Sequence, residues 1–397
     1  MDVSFFIASR IRFKERIVMS CITVSFLVVI VAVAVSSGFR TEIRNGVSRV
    51  TGDVQLTLPR LNYLEESTPV NSAPSYMDEI LAIEAVESVQ PVVYRAGIVK
   101  NSDQIFGVMV KGVTDASASD AGIQMPDSVI LGVCIPSAFA ERSGLAVGDR
   151  MLTYFIGDNV KLRQFNVAGI YESLVETDGR YLIYADIADL RRLNGWKEGQ
   201  ASMLEVMLKD GYRDEQNIEA ASDEIGFKMN AYASEEDDVL VAMSSVSRFP
   251  QLFDWLGLID FNVFFILLLM TIVAGFNMIS GLLIMLFENI STIGLLKSLG
   301  MTDRSIAKVF LASSAVLVLK GMVLGNALAF LLCFIQDKTH ILRLDPENYF
   351  VSFVPVNLDF GTVFLADAAV FAAIMLLLLI PSLFISRVDP AETVRVR

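Results

Sequence analysis

Four long apolar runs interrupt an otherwise mixed pattern of polar and apolar residues. They cover residues 17–35, roughly 261–287, roughly 306–335 and 363–385. Each is long enough for a transmembrane helix, since about 20 apolar residues cross the hydrocarbon core of a bilayer. Residues 36–260 contain no such run. The pattern therefore predicts one span, a large water-soluble domain and three further spans.

Within the water-soluble stretch, strand-like and helix-like periods follow one another. Polar and apolar residues alternate from Asp53 in DVQLTL, and paired alternating runs around residues 101–103 and 157–159 predict two hairpins. Helical patches are predicted at residues 75–87, 136–143, 187–193 and 215–225. We therefore expect an α+β domain with its own core, arranged as two lobes.

Both ends of this domain are compatible with helices. SSGFRTEIRNGVSRV continues the helical pattern beyond the first span, and EEDDVLVAMSSVSRFPQLFDWLGLIDF before the second span reads as mostly helical. The second segment carries apolar Phe249, Leu252, Phe253, Trp255 and Leu256. We expect two stalks that extend the spans out of the bilayer.

Basic residues fix the predicted orientation. They precede the first span, lie between spans two and three, and follow span four: Arg10, Arg12, Lys14, Arg16, Lys297, Arg304, Lys308, Arg387, Arg395 and Arg397. By the positive-inside rule these three segments are cytoplasmic. The large domain and residues 336–359 then face outward.

Composition excludes several classes of protein. The chain has 397 residues, 53% of them hydrophobic, a mean hydropathy of +0.53 and a formal net charge of −13. Acidic residues outnumber basic ones in the outward domain, so nucleic acid is not an expected partner. The three cysteines, Cys21, Cys134 and Cys333, and the single His340 give no metal-ligand spacing and no disulfide framework.

Motifs for catalysis are also absent from the sequence. It has no G-x-x-x-x-G-K-[ST] phosphate loop, serine-hydrolase elbow, zinc-protease motif or dinucleotide fingerprint. We expect a protein that is not an enzyme. The VMSC sequence at Cys21 and the AVA sequence at residues 32–34 resemble processing sites, but the length of the first apolar run favours a retained anchor.

The predicted spans contain few ionisable groups. Lys320 in the third span is either a functional charge or a long side chain that reaches a boundary. Asn277 in the second span is expected to make an interhelical hydrogen bond, and glycines such as Gly321 and Gly325 are expected to allow close helix packing.

The polar link between spans two and three, FENISTIGLLKSLG, predicts a short amphipathic helix. Ile290, Ile293, Leu296 and Leu299 recur at a spacing of three, which keeps them on one face. Gly300 suits a helix C-terminus, and Thr302 suits the N-cap of the next helix. The segment is either a passive connector or a docking element for a cytoplasmic partner.

Several segments resemble the FtsX-like, MacB-type permeases of ABC transporters, and within them the lipoprotein-releasing permeases of Gram-negative bacteria. They are FIASR, VSSGFRTEIRN, GVCIPSAFAERSGLAVGD, FNVAGIYES, IVAGFNMISGLLIMLFENISTIGLLKSLGMTDRSIAKVF, LDPENYFVSFVPV and SRVDPAETVRVR. The resemblance implies four transmembrane helices with a large α+β periplasmic domain between helices 1 and 2. It also implies a multi-pass protein of the bacterial inner membrane.

The resemblance implies a permease subunit with several partners. They are a second permease in a homo- or heterodimer, two copies of a cytoplasmic P-loop ATPase, a lipoprotein substrate and a periplasmic lipoprotein carrier. ATP and Mg would bind the ATPase, and this chain would bind no cofactor. The implied ATPase-coupling residues are Glu288, Ile290, Ile293, Gly294, Leu296, Lys297, Leu299 and Gly300, and the implied lipid-holding residues are Val35, Phe39, Leu256, Phe261, Phe264 and Phe265.

This sequence departs from the family pattern at Gly294 and Lys297, where alanine and arginine are common. Two other functions stay open. One is an FtsX-like, MacB-type permease for peptide or drug efflux. The other is a mechanotransmitter that controls a cell-wall hydrolase, against which the size of the outward domain argues.

The predicted organisation follows from these observations. It is a cytoplasmic N-terminus at residues 1–16, helix 1 and stalk at 17–50, the periplasmic domain at 51–237, stalk and helix 2 at 238–287, the coupling helix at 288–300, helix 3 at 301–335, a periplasmic loop at 336–360, helix 4 at 361–386 and a cytoplasmic tail at 387–397.

Overall fold

The chain forms two compact units in a computed structural model that describes residues 16–59, 68–101, 104–120, 123, 129–155, 160–171, 181–345, 349 and 351–382. The helical unit comprises Met1–Thr41, Trp255–Arg343 and Phe353–Arg397, and the sheet unit comprises Glu42–Asp254 and Leu344–Ser352. The predicted cytoplasmic termini and most of both predicted hairpin turns lie outside the described residues.

The described helices have the following bounds. They are α1 Arg16–Thr51, α2 Met77–Leu81, α3 Asp115–Asp120, α4 Ser137–Ser143, α5 Ile187–Asn194, α6 Glu215–Tyr232, α7 Ser245–Arg248, α8 Pro250–Glu288, α9 Ile290–Ser298, α10 Asp303–Thr339, α11 Phe360–Leu377 and α12 Leu379–Ser382.

The described strands are β1 Val54–Thr57, β2 Val70–Asn71, β3 Val86–Asn101, β4 Gln104–Val113, β5 Gly132–Pro136, β6 Arg150–Phe155, β7 Lys161–Tyr171, β8 Tyr181–Asp186, β9 Gln200–Ala201, β10 Met203–Leu208 and β11 Val241–Ser244.

Four helical segments in the described residues are long and apolar enough to cross a membrane. They are Ile17–Thr51, Pro250–Glu288, Asp303–Thr339 and Phe360–Ser382. At 1.5 Å per residue, the 36 residues of α1 extend about 54 Å, well beyond a hydrocarbon core of about 30 Å. The expected helical extension of the first span is therefore present.

One apolar core holds the helical unit together. Ile22 and Phe26 of α1, Met278 of α8, Phe310 of α10 and Ile374 of α11 are buried in it. No water is available inside a bilayer, so each span satisfies its backbone groups within its own helix. Packing between helices then depends on side-chain shape.

The sheet unit contains a nine-stranded sheet with the order β11-β1-β10-β3-β4-β8-β5-β7-β6. The first half of β3 pairs with β10, and its second half pairs with β4 from Val93↔Gly112 to Asn101↔Gln104. Because β6 also pairs with β3, the last six strands close into a barrel. The predicted hairpins β3–β4 and β6–β7 are confirmed by these registers.

Three apolar clusters lie in the described part of the sheet unit, and two of them give it the two lobes expected from its sequence, while the third surrounds Tyr94 and Tyr184. Phe139, Phe155 and Phe165 are buried in the core of the barrel. A second core lies between α2, α6 and the strands β1 and β10, where Ile80 and Ile218 are buried. The long strand β3 contributes to both lobes and joins them.

The stalk before the second span differs from its prediction. Val241–Ser244 is a strand that pairs with β1, and α8 begins only at Pro250. The helical prediction for this segment was wrong because β1 offers an open edge to Val241–Ser244. Proline at the first position of a helix is favoured, since it lacks the N–H that would go unpaired there.

Asp237 fastens the chain after α6 to the segment before α2. Its Oδ1 accepts from Ser75 N at 3.1 Å, and its Oδ2 accepts from Ser234 N at 2.8 Å. Partial burial disfavours ionisation of the carboxyl, but these hydrogen bonds and those from the two serine hydroxyls outweigh it and lower the pKa of Asp237 to about 2.

We predict that Asp237→Asn removes a pH-dependent contribution to the stability of the sheet unit. A pKa lowered from 3.8 to about 2 means that the contribution is complete above the unfolded value and is lost as the pH falls towards 2. Urea unfolding followed by tryptophan fluorescence should therefore show the largest deficit of the variant above pH 4, as estimated from that shift.

The control for this experiment is Glu236→Gln, at the exposed neighbouring position. It should follow the pH profile of the wild type. A pH-independent difference between Asp237→Asn and the wild type would contradict the prediction.

Candidate coupling helix and lipid-holding residues

The short helix α9 follows α8 after a single non-helical residue. Asn289 breaks the helix, and its Nδ2 donates back to Met285 O at 2.9 Å. We expected the coupling helix to include Glu288, but Glu288 is the last residue of α8. Because Ile293 N donates to Asn289 O at 3.0 Å, α9 begins directly from the end of the span.

A compact C-terminal turn ends α9. Gly300 N donates to Lys297 O at 2.9 Å, and Met301 N donates to Leu296 O at 3.0 Å, which is the hydrogen-bond pattern of a Schellman motif. Gly300 has φ +90°, a conformation that side chains rarely adopt. Thr302 then caps α10 by accepting from Ser305 N.

The predicted apolar stripe of α9 divides between two environments, since Ile293 and Leu296 face their own helical unit and Leu299 is exposed. Ile293 and Gly294 are buried and Leu296 is half-buried, and Ile293 belongs to the core of the helical unit. The exposed apolar side chains are instead Leu295, 55% exposed, and Leu299, 75% exposed. The face that a partner can reach thus contains Leu295 and Leu299, with Ser291, Thr292 and Ser298 beside them.

Lys297 connects α9 to the helix that follows. Its Nζ lies 2.9 Å from Asp303 Oδ1 in the first turn of α10, and only 10% of its side chain is exposed. An acidic residue at a helix N-terminus is itself favourable. Lys297 therefore fixes the turn between the two helices and presents little surface to a partner.

The expected lipid-holding residues fall into two groups. Phe39 and Leu256 are buried, and Val35 is half-buried. Phe39 packs edge-on against Trp255, with 5.9 Å between ring centroids. The structure therefore shows a packing contact with α8 for Phe39.

Three phenylalanines on α8 form the second group. Phe261, Phe264 and Phe265 are between 53% and 60% exposed. The rings of Phe261 and Phe265 lie 4.9 Å apart in an edge-to-face arrangement. We call these three residues the phenylalanine patch.

A polar contact above this patch was missed by the sequence analysis. Arg40 of α1 forms an ion pair with Asp260 of α8, and Ser36 Oγ donates to Asp260 Oδ1 at 2.8 Å. An acid and a base at the outer ends of adjacent apolar runs could have suggested this pair. It holds the two helices together at the level where the phenylalanine patch begins.

Residues 355–357 pack against the other side of α1. Asn357 N donates to Ala34 O at 3.0 Å, and Asn357 Nδ2 donates to Thr41 Oγ1 at 3.1 Å. A Cβ on Gly38 would lie 2.4 Å from Pro355 O. This contact explains why a glycine occupies a helix interior, where it is otherwise unfavourable.

Glycines also set the contact between α10 and α1. A Cβ on Gly321 would lie 2.6 Å from Ile22 Cγ2, and one on Gly325 would lie 2.7 Å from Thr23 O. The side chain of the half-buried Asn277 makes no hydrogen bond within the described part of the chain, so the expected interhelical bond is not found there.

Two further polar residues lie within the predicted spans. Lys320 is exposed on α10, and no ion pair joins it to a described residue. Asp367 of α11 is buried and accepts a hydrogen bond from Asn326 Nδ2 of α10. Asp367 is absent from the predicted functional residues, although a lone acid in an apolar run is a recognisable signal.

Family models match most of the chain. A model described as the MacB-like periplasmic core domain matches residues 17–226, and one described as the FtsX-like permease C-terminal region matches residues 264–390. The first match alone covers more than half of the chain.

Individual proteins are similar over nearly the full length. The lipoprotein-releasing system transmembrane protein LolC of Neisseria meningitidis serogroup B is 24% identical, with 92% of this chain and 90% of that protein covered. LolE of Haemophilus influenzae is 21% identical, with 94% and 91% covered. The crystal structure of the periplasmic region of MacB from Actinobacillus actinomycetemcomitans has a TM-score of 0.31 and 11% identity, covering 52% of this chain and 95% of that one.

We predict that Gly38→Ala destabilises the helical unit. The added methyl group cannot be accommodated without moving the backbone at Pro355, because the contact is with a carbonyl oxygen and not with a flexible side chain. The melting temperature of the detergent-solubilised protein should fall.

The matched control is Gly257→Ala on α8, where an added Cβ meets nothing within 4 Å. This change should leave the melting temperature unchanged or raise it, because alanine favours helices by about 1 kcal/mol over glycine. Equal melting temperatures for Gly38→Ala and the wild type would contradict the proposed close contact.

Proposed function

This chain belongs to the family of FtsX-like permeases with a MacB-like periplasmic core domain, within its LolC/LolE branch, and on that premise we propose that it releases lipoproteins from the bacterial inner membrane. It acts as a permease subunit of an ABC transporter. It extracts acylated proteins from the outer leaflet and hands them to a periplasmic carrier. ATP and Mg bind a separate ATPase.

The observation that carries this proposal is the exposed face of α9 directly after a predicted span. Leu295 and Leu299 expose apolar side chains on a helix whose other face is fixed to the helical unit. Exposed apolar groups of this kind favour a protein partner. Two copies of a cytoplasmic P-loop ATPase would supply one such partner to each permease subunit.

The turn at Gly300 supports a transmitting role for α9. The Schellman hydrogen bonds and the Lys297–Asp303 ion pair fix the end of α9 to the start of α10. At its other end, one residue separates α9 from α8. Motion imposed on α9 by closing of the ATPases would therefore pass to two spans together.

The phenylalanine patch supports an acyl-binding role for the outer part of α8. Removing an acyl chain from a bilayer costs about 0.8 kcal/mol for each CH₂ group, so extraction needs an apolar surface that receives the chain. Phe261, Phe264 and Phe265 offer such a surface, because their rings are largely uncovered by this chain.

A second permease subunit would explain why the most apolar stretch of α8 is so little buried by its own chain. Only 6% of the most apolar stretch of α8 is buried, compared with 33% for α1 and 28% for each of the other two spans. A stretch of helix that is apolar on all sides and little covered by its own chain is suited to lie against lipid or another subunit. A partner permease on α8 would enclose the phenylalanine patch.

We predict that Leu295→Asp abolishes association with the ATPase without loss of membrane insertion. The charge would lie on the exposed face of α9, where it opposes an apolar contact but disturbs no core residue. Co-purification of a tagged ATPase from detergent-solubilised membranes measures the association.

Thr339→Asp is the matched control, because it adds the same charge at an exposed position at the far end of α10. It should leave ATPase association intact. Normal co-purification of the ATPase with Leu295→Asp would exclude the exposed face of α9 as the docking surface.

The function itself is tested by depletion and complementation. Depletion should leave outer-membrane lipoproteins in the inner membrane, as measured by membrane fractionation. The wild-type chain should restore their localisation, whereas a variant with Phe261, Phe264 and Phe265 changed to alanine should restore it poorly, because the acyl chain loses its apolar surface.

Phe360 and Phe364 of α11 provide the control, since they are 75% and 76% exposed. Their replacement by alanine should leave complementation intact. If lipoproteins reach the outer membrane in depleted cells while a peptide or drug accumulates, the proposal fails in favour of efflux. Correct lipoprotein localisation together with a cell-wall hydrolysis defect would favour the mechanotransmitter.

A further inference from the structure

A buried ion pair lies inside the sheet unit, away from the candidate site. Lys111 of β4 and Glu205 of β10 are 2% and 3% exposed, and Lys111 Nζ lies 2.7 Å from Glu205 Oε2. The ammonium lies 5.6 Å from the ring centroid of Tyr94 and 5.9 Å from that of Tyr184. Burial and the neighbouring Glu205 carboxylate raise the pKa of Tyr184, so this phenol keeps its proton.

This cluster binds the end of α1. Lys111 Nζ donates to Val50 O at 2.7 Å, and Tyr184 OH donates to Arg49 O at 3.4 Å. The Tyr94 hydroxyl lies 3.0 Å from Val50 O and 2.7 Å from Glu205 Oε1, so its single proton can serve either acceptor. Carbonyl groups in the last turn of a helix lack helical partners, and a cation there also complements the helix dipole.

Stability alone does not account for this arrangement. The end of α1 is already closed by its own backbone, because Gly52, with φ +71°, donates from its N to Ser48 O at 2.7 Å. Burying an ion pair costs desolvation energy that well-packed apolar side chains would avoid. Besides capping α1, the cluster therefore links the end of this helix to the strands β4 and β10.

The link reaches both lobes of the sheet unit. Lys111 lies on β4, a strand of the barrel, whereas Glu205 lies on β10, which pairs with β1. Val47 is buried and Val50 packs against the apolar cluster that contains Tyr94 and Tyr184, so apolar packing also holds the end of α1, and the polar side chains add directional hydrogen bonds to it. Without those hydrogen bonds, Gly52 would be a more effective hinge.

We infer that Lys111, Glu205 and Tyr94 form a rigid junction that makes the end of α1 move as one body with the sheet unit during transport. These are positioning residues, since they touch no substrate. The inference rests on the proposed function, in which ATP-driven motion of the spans must reach the periplasmic domain. A loose junction would let the spans move while the domain stayed behind.

The test uses the full chain assembled with its ATPase and partner permease in nanodiscs. The double variant Lys111→Met with Glu205→Met removes both charges, so no unpaired buried charge remains. The amount of lipoprotein released to the carrier per ATP hydrolysed should fall about tenfold. An ordinary coupling free energy between two sites corresponds to a change of this order. ATP hydrolysis and the melting temperature should stay near wild type.

Hydrogen exchange supplies a readout that needs no substrate. Amide exchange in the last turn of α1 should become faster in the double variant, while exchange in β3 and β4 stays unchanged. The matched control is Lys161→Met. Lys161 Nζ donates to Leu193 O at 3.1 Å near the end of α5, which is not continuous with a span. This control should leave release and exchange unchanged.

Normal release per ATP in the double variant, with unchanged exchange at the end of α1, would overturn the inference. If the double variant does not fold, Tyr94→Phe decides the question in the same assays, because it removes only the hydroxyl bonded to Val50 and Glu205. If the wild-type complex releases no lipoprotein, the proposed function fails, and the exchange data alone decide whether the junction is rigid.

Discussion

The antiparallel pairing of β1 with β11 is the interaction on which the rest of the sheet unit depends. Its register runs from Val54↔Ser244 to Thr57↔Val241. Because β1 follows α1 and β11 precedes α7 and α8, this pairing brings the entry and exit of the domain side by side. A domain inserted between two spans needs this closeness, since its ends must return to neighbouring helices.

Asp53 adds further hydrogen bonds at the point where the chain passes from α1 into β1. Its carbonyl accepts from Ser245 N at 2.9 Å, so the first residues after α1 bind the first residue of α7. Its carboxyl accepts from Leu208 N at 2.8 Å and lies 3.3 Å from Arg213 Nε. Burial raises the pKa of Asp53, and these partners oppose the shift. A buried carboxyl at this point is stable only with these partners, which ties β1 to both β10 and the second stalk.

Periodicity in the sequence predicted the structure correctly where residues close together along the chain are also neighbours in the fold. Hydropathy identified the spans, and alternation identified the β3–β4 and β6–β7 hairpins, because neighbouring strands were also neighbours along the chain. It misassigned Val241–Ser244 because the partner strand β1 lies far away in sequence. Lys111 and Glu205 could not be paired for the same reason, since β4 and β10 are brought together only by the completed sheet.

The candidate site shows a different limit of prediction from the sequence. A spacing of three places Ile290, Ile293 and Leu296 on one face of α9, but it does not indicate whether that face turns towards its own chain or a partner. The structure turns Ile293 and Leu296 inward, whereas Leu299, the last position of the predicted stripe, is exposed with Leu295 and forms the reachable surface.

This inward anchoring explains how so short a helix keeps a defined position. A helix of nine residues is marginal by itself, and contacts with the core of the helical unit hold it in place. The 39 residues of α8 then continue as one hydrogen-bonded rod of about 58 Å back to Pro250, next to α7 and β11. Within the sheet unit, β11 and α7 lead directly to Pro250, so the β1–β11 pairing fixes the position of the first residues of α8 there.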